Sequence, residues 1–389
     1  MNFTLELEKI NNQGLMRTLS LVDTCDLPWI KWEGKNLYNL SSNDYLGLAQ
    51  DKNLWEEFTN VWLNNSQLNM GAASSRLMTG NHFFYDETEK LLEELYGRPA
   101  LFFNSGYHAN TGILKAVTSK TDLIISDKLV HASLIDGIHL SAATHFRYNH
   151  NNYDHLEKIL IQKRHLFKET IIVTESIFSM DGDCADLKKL VELKSKYNLT
   201  LYVDEAHAIG ALGENGLGLC EVNNVLNEID FIVCPMGKAM GSVGAFVITN
   251  PSTHKWLINK ARTLIYSTAL PPINMAWNYL IITKLKQFNP RRVHLNNISI
   301  YFKNQLSILN YTTNSNSHII PIIIVENNHT CMLSHDLKNE GFYTTAVRPP
   351  TVPEGTSRIR ISLNSTMSTN ELDIFFNIFT STLAKIKIL

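Results

Sequence analysis

Along the chain, short unbroken apolar runs alternate with segments whose apolar residues recur every three or four positions. The runs fall at Ala100–Phe103, Asp122–Ser126, Thr170–Thr174, Leu199–Val203, Phe231–Cys234 and Ala245–Ile248, the length and pattern of strands buried on both faces. Between them, leucines 91, 92 and 95 within Asp86–Tyr96 mark an amphipathic helix stopped by Gly97, and Ala132–Leu140 and Asp186–Tyr197 read as further helices. Such alternation predicts a mainly parallel sheet covered on both faces. In sheets of this kind, ligands collect beyond the carboxyl ends of the strands.

The pattern changes after about residue 285. An asparagine-rich piece, 310–317, precedes a strand at Ile319–Val325, a helix at Thr330–Asn339, a strand at Tyr343–Val347 and a half-exposed, alternating strand at Arg358–Leu363. Ser368 with Glu371 reads as a capping box for a last helix running to about Ile386. Residues 1–30 read as a helical arm. The expected organisation is therefore an N-terminal arm, 1–45, a large α/β domain, 46–285, and a smaller α+β domain, 286–389. Two stretches fit neither period. Tyr38–Leu48 is a ledge of turn formers among apolar residues, and Gly71–Gly80 suits either a loop that approaches something closely or a flexible surface loop.

Composition narrows the class. A chain of 389 residues suits one large and one smaller domain. Its net charge of -2 leaves no basic excess for nucleic acid. The longest apolar run, Ile319–Val325, is too short to span a membrane and is broken by Pro321, and Met1–Glu8 lacks the pattern of an export signal, so a cytoplasmic protein is expected. Five cysteines without paired spacing and fourteen histidines without a ligand cluster predict neither a disulfide framework nor a metal site.

Ser105, Glu175, Asp204 and Lys238 fall just beyond predicted strand ends. Lys238 follows Phe231–Cys234 and is crowded by Gly237, Gly241 and Gly244; it is either a loop lysine reaching water or an amine stripped of solvation and made nucleophilic. Asn104–Tyr107 passes from strand to helix, and free amides at such a start attract an anion, although many α/β turns look the same. Asp204 could cap a helix and His207 could be a core histidine. Taken together, they are the parts that pyridoxal phosphate requires: amides for the phosphate, a carboxylate that keeps the ring nitrogen protonated, and an amine for the aldehyde.

The chain resembles the α-oxoamine synthases, a family of fold-type I pyridoxal-phosphate enzymes, in Ser41–Leu48, His131–Leu134, Thr174–Asp183, Val203–His207, Gly237-Lys238, Leu264–Pro272 and Val347–Thr356. The likeness runs from about residue 15 to the C-terminus, and its specificity lies in the set. It implies a mainly parallel seven-stranded sheet in a large cofactor-binding domain, a smaller α+β domain, and a homodimer with shared active sites. It further implies that Lys238 holds the cofactor as a Schiff base, His131 stacks on its ring and Asp204 pairs with the ring nitrogen. Ser179 and His207 would bond the phenolic oxygen, Gly106 and Tyr107 would give amides to the phosphate, and Thr268 would reach the phosphate of the neighbouring subunit. Arg348 would bind the amino-acid carboxylate near Asn43, while Arg17 and Thr351 would face the acyl substrate. The branch it resembles condenses L-alanine with pimeloyl-CoA or pimeloyl-ACP and releases carbon dioxide, with Lys238, His131, Asp204 and His207 as the catalytic group.

Two residues depart from the family pattern. Pro235 stands three residues before the lysine, where a threonine or serine usually binds phosphate, and offers neither hydroxyl nor amide hydrogen. A slightly weaker hold on the cofactor is expected, offset by Ser105 or Asn104. Tyr107 stands where phenylalanine is common. Two rival readings remain: a relative that joins glycine to acetyl-CoA or another acyl-CoA amino-acid synthase of the family, and a non-catalytic scaffold subunit of the same fold, against which the joint presence of Lys238, His131 and Asp204 speaks.

Overall fold

The computed structural model describes residues 2–13, 15–62 and 68–386. Residues 1 and 14 of the expected arm, 63–67 of the large domain and 387–389 of the C-terminal domain lie outside these. The chain divides into two compact units, one made of 48–179 and 184–292, the other of 1–47, 180–183 and 293–389.

The larger unit is built on a seven-stranded sheet: β1 (Ala100–Phe103), β2 (Leu123–Asp127), β3 (Thr144–Tyr148), β4 (Thr170–Glu175), β5 (Thr200–Asp204), β6 (Phe231–Pro235) and β7 (Ala245–Ile248). Their spatial order is β1-β7-β6-β5-β4-β2-β3. All neighbours are parallel except β7, which runs antiparallel to both β1 and β6. β1, β2, β4 and β7 are buried at every position, which is why continuous apolar runs mark them. β3 is different. Only Tyr148 of Thr144–Tyr148 is buried, so no apolar run announces this edge strand, and its pairing with β2 alone defines it. Helix α1 (Gly106–Val117) follows β1, and α2 (Ala132–Leu140) follows β2.

In the smaller unit, the helix Phe3–Asn12 buries nothing, and the helical arm expected over 1–30 ends there. The chain then forms strands at Asp23–Thr24, Trp29–Trp32 and Lys35–Asn39, which join Phe342–Tyr343 in a four-stranded sheet. Glu33 and Gly34, both at positive φ, turn the second strand back on the third, and this tertiary pairing overrides the irregular leucine pattern. Strand β8 (Ile319–Val325) and helix α3 (Asn327–Asn339) follow the expected pattern. The stretch Tyr343–Val347 serves two sheets: Phe342–Tyr343 in the first, and β9 (Ala346–Val347) in a three-stranded sheet of order β8-β10-β9, where β10 is Ser357–Ser362. As the central strand, β10 is buried at every position, not half-exposed. Its two arginines are accommodated by polar partners: Arg358 pairs with Asp181, and Arg360 donates to Ser362 Oγ at 2.6 Å. The closing helix, Thr369–Ile386, begins with the Ser368 hydroxyl bonded to the Glu371 carboxylate. No helix among the described residues is long and apolar enough to cross a membrane.

Candidate active site

Because β1, β4, β5 and β6 run the same way, their carboxyl ends share one edge of the sheet. Phe103 and Pro235 both stand opposite Ala245, and Glu175 stands opposite Asp204. Beyond β6 the chain makes a tight turn, closed by Met236 N donating to Gly244 O at 2.8 Å and Ser242 N to Met236 O at 3.0 Å. Lys238 stands on this turn, half-buried, with Nζ 2.8 Å from His207 Nε2.

His207 comes from the turn after β5, which is fixed from below by Glu205. That carboxylate is fully buried and accepts from Ser176 Oγ at 2.6 Å, Cys220 N at 2.7 Å and Leu219 N at 3.1 Å. Burial pushes its pKa up, and these donors oppose the shift. Asp204 is buried too, its Oδ1 accepting from Ala206 N at 2.9 Å and its Oδ2 from Asn110 Nδ2 at 2.7 Å. Asn110 is oriented by the Tyr202 hydroxyl, which donates to its Oδ1 at 2.7 Å, and its amide also donates to Ser133 Oγ at 2.9 Å. Neutral donors hold the carboxylate in place without cancelling its charge, so that charge remains available to a cationic ring nitrogen.

His131 caps α2. Its Nδ1 accepts from Ser133 N at 3.2 Å, and its backbone N donates to Glu175 Oε1 at 2.5 Å. Burial among the surrounding walls lowers its pKa; Lys238 adds to that effect while Asp204 opposes it. The residue as a whole is nevertheless exposed. Glu175, at 2% exposure, is pushed up to about 8 by burial and then by the charge of Asp204.

At the far side of the edge, Ser105 caps α1 by accepting from His108 N at 3.2 Å. Gly106 and Tyr107 are the first two residues of that helix, so their amides have no acceptor within it. A Cβ on Gly106 would stand 2.7 Å from Pro235 Cγ, which makes Pro235 the floor of this turn and glycine its necessary partner. Of the two substitutes expected for the missing hydroxyl, Asn104 gives its amide to Ser267 Oγ at 2.9 Å and Thr268 O at 2.6 Å, tying down the exposed Thr268. The Ser105 hydroxyl lies 2.9 Å from His108 Nδ1. Tyr107 donates its phenol to Asp136, a role phenylalanine could not fill. Ser179 is half-buried on the loop after β4.

These groups fit pyridoxal phosphate: an amine beside an imidazole, a buried carboxylate held by neutral donors, and a helix start whose amides and dipole favour an anion. Residues 35–379 match the family described as aminotransferase class I and II. The chain belongs to that family. Within it, a Haemophilus influenzae (strain 86-028NP) protein provisionally named 8-amino-7-oxononanoate synthase is 47% identical over 376 residues, 96% of this chain and 98% of its own. A Neisseria gonorrhoeae (strain NCCP11945) protein of the same provisional name is 46% identical over 379 residues, with the same coverage. Among solved structures, serine palmitoyltransferase from S. paucimobilis, with pyridoxal phosphate and myriocin bound, superposes with a TM-score of 0.91 at 26% identity, covering 100% of this chain and 98% of its own. The 8-amino-7-oxononanoate synthase of Francisella tularensis gives 0.76 at 28% identity, covering 90% and 98%. These relatives are α-oxoamine synthases, and this aminotransferase-family chain is likewise a pyridoxal-phosphate-dependent enzyme of that group.

The smaller unit carries the expected substrate residues in two places. Asn43 Oδ1 accepts from Tyr45 Oη at 3.0 Å and from Arg360 Nη1 at 3.2 Å. Arg17 Nη2 donates to Thr351 Oγ1 at 2.9 Å, and both line a cleft of about 640 Å³ together with Arg348. A guanidinium bonded to Asn43 is that of Arg360. Alternation along Arg358–Leu363 had marked it only as an outward-facing strand position, and nothing local to the sequence shows that Asn43, 317 residues away, meets it.

Proposed function

We propose that this enzyme is an 8-amino-7-oxononanoate synthase of biotin biosynthesis, joining L-alanine to a pimeloyl thioester. The new carbon–carbon bond forms between the alanine α-carbon and the acyl carbonyl carbon; the thiol of the carrier leaves, and the alanine carboxylate departs as carbon dioxide. The observation that carries this reading is the 2.8 Å approach of Lys238 Nζ to His207 Nε2 at the sheet edge that also holds Asp204 and the amides after Ser105, in a chain 46–47% identical to relatives of that name.

Bound pyridoxal phosphate supplies an aldehyde that captures an amine and a protonated ring that spreads the charge left when the α-proton is removed. The protein's own groups do the rest. Lys238 Nζ, 2.8 Å from His207 Nε2, would hold the aldehyde and would serve as the base for the α-proton. His207 and Ser179 would hold the phenolic oxygen, Asp204 would keep the ring nitrogen protonated, and His131 would pack against the ring. Gly106 and Tyr107 would give their amides to the phosphate. Arg348 is the group proposed for the alanine carboxylate, with Asn43 and its neighbour Arg360, and Arg17 and Thr351 would serve the acyl donor.

A homodimer with shared sites is part of this proposal. Met70 and Met78 are exposed at 78% and 80%, and Tyr266 at 71%, in the two stretches that the Ser75–Thr268 bridge joins; large apolar side chains left this open suit a partner surface. Light scattering of the purified protein measures it. The cytoplasm is the proposed location, where the acyl carriers are found.

The reaction is tested with purified protein and pyridoxal phosphate by measuring thiol release and product mass with alanine or glycine against pimeloyl or acetyl thioesters. Alanine- and pimeloyl-dependent formation of 8-amino-7-oxononanoate is expected. Turnover only with glycine and acetyl-CoA would reassign the branch, and a protein that takes up no cofactor would sink the enzymatic reading.

A further inference from the structure

The cleft that holds Arg17 and Thr351 is larger and more basic than the end of a dicarboxylic acyl chain needs. Arg17, Lys338 and Arg348 all line it, with the His335 imidazole, and no acid does. The acids of the neighbourhood lie elsewhere: Glu326 and Glu354 line an adjoining pocket, and Glu33 acts on Lys338 from outside the lining. One wall is helix α3. Cys331, Ser334, His335 and Lys338, spaced by three and four residues, turn a polar stripe to the cleft, while Leu333 and Leu337 are buried.

Lys338 is the unusual member. Its Nζ sits over two aromatic faces, 4.6 Å from the Tyr343 ring centroid and 5.4 Å from that of Trp32, and among the described residues no carboxylate lies within ion-pair distance of it. Burial lowers its pKa, which reflects an ammonium that has lost water without gaining an anion. The rings offset part of that loss and hold the ammonium in place. Arg17 likewise has a hydroxyl partner, Thr351, at 2.9 Å, and no carboxylate within ion-pair distance among the described residues.

Such cations, preorganised on a cleft without acids, form an anion site. A single carboxylate at the end of an acyl chain cannot balance both Arg17 and Lys338. Phosphate esters can, and the thioesters of the proposed reaction carry them: a phosphodiester on the pantetheine arm of a carrier protein, or the pyrophosphate and ribose phosphate of coenzyme A.

We propose that Lys338, held between Trp32 and Tyr343 and flanked by His335, is a binding site for the phosphate of the pantetheine arm that delivers the acyl group. The inference rests on the thioester-condensing function proposed above, and it makes Lys338 a residue that selects the carrier rather than the acyl chain.

The test measures KM for three pimeloyl thioesters, of coenzyme A, of acyl carrier protein and of unphosphorylated pantetheine, in wild type and in Lys338→Met, which keeps the aliphatic stem. The KM of a phosphate-bearing donor is expected to rise about tenfold relative to that of the pantetheine donor, and Lys338→Arg should recover most of it. A rise confined to the coenzyme A thioester identifies the nucleotide as the source of the phosphate, and one confined to the carrier-protein thioester identifies the protein-borne arm. An equal change for all three donors, or none, overturns the site. Should wild type turn over no donor, the proposed reaction fails, and calorimetry with phosphopantetheine still decides this site: binding weakened about tenfold in Lys338→Met supports it, and unchanged or absent binding overturns it.

Discussion

Replacing Glu175 by glutamine should stabilise the cofactor-free protein, and increasingly so as the pH rises. Glu175 is 2% exposed, and burial together with the charge of Asp204 pushes its pKa from 4.5 to about 8. In the unfolded chain it returns to the ordinary value. Below about pH 4.5 both states hold the proton, and the contribution of Glu175 to stability is fully present. Between there and about pH 8 the unfolded chain releases a proton that the folded chain keeps, so stability is lost as the pH rises through that window. At about 1.36 kcal/mol per unit, the whole loss approaches roughly 5 kcal/mol. Glutamine does not titrate, yet it retains an oxygen to accept from His131 N, which Glu175 Oε1 meets at 2.5 Å. The advantage of Glu175→Gln should therefore grow by several kcal/mol from about pH 5 to about pH 8. Guanidinium unfolding at about pH 5, 6.5 and 8, at fixed protein concentration, measures it. A difference that stays level or shrinks with rising pH would refute the reading of Glu175 as a neutral acid beside a charged Asp204.

Three further outcomes are expected. Gly182 sits at φ +68°, and a Cβ there would stand 1.9 Å from Ile319 O, so Gly182→Ala should cost about 2–4 kcal/mol of stability; a melting temperature within a degree or so of wild type would contradict this. Pro235→Thr restores a hydroxyl beneath the Gly106 turn and should tighten pyridoxal phosphate several-fold in a titration of the cofactor-free protein, whereas an unchanged or weaker dissociation constant would show that the proline floor is not a deficit. Arg360→Lys keeps the charge but loses the planar fork beside Asn43 and should raise the KM for alanine about tenfold, with a smaller effect on the KM of the thioester; an unaffected alanine KM would remove Arg360 from the carboxylate site.

Much of this protein is legible in its sequence because burial writes itself locally. A strand buried on both faces must be apolar throughout, so β1, β2, β4 and β7 announce themselves. A lysine among glycines after such a strand, and an aspartate at the end of another, can be placed at the sheet edge without coordinates, since parallel strands bring their carboxyl ends together. What depends on pairing cannot be read this way. The edge strand β3, with one buried residue, and the hairpin at Trp29–Asn39 exist because a neighbour supplies hydrogen bonds, and no local period records that. Residues 180–183 join the unit of 293–389, and Ser317 Oγ donates to Gly182 O at 2.7 Å, a contact between positions that composition treats as unrelated loops. Arg360 follows the same rule. An alternating strand normally turns its charged residues to water, and only the central place of β10 in its sheet, with Asn43 and Ser362 as partners, carries that guanidinium inside. Chemistry set by residue type and position along a strand was therefore determined by the sequence, while the partners that orient Asp204, His131 and Asn43 were decided by the tertiary structure, because a hydrogen bond between distant residues leaves no periodic trace in the chain.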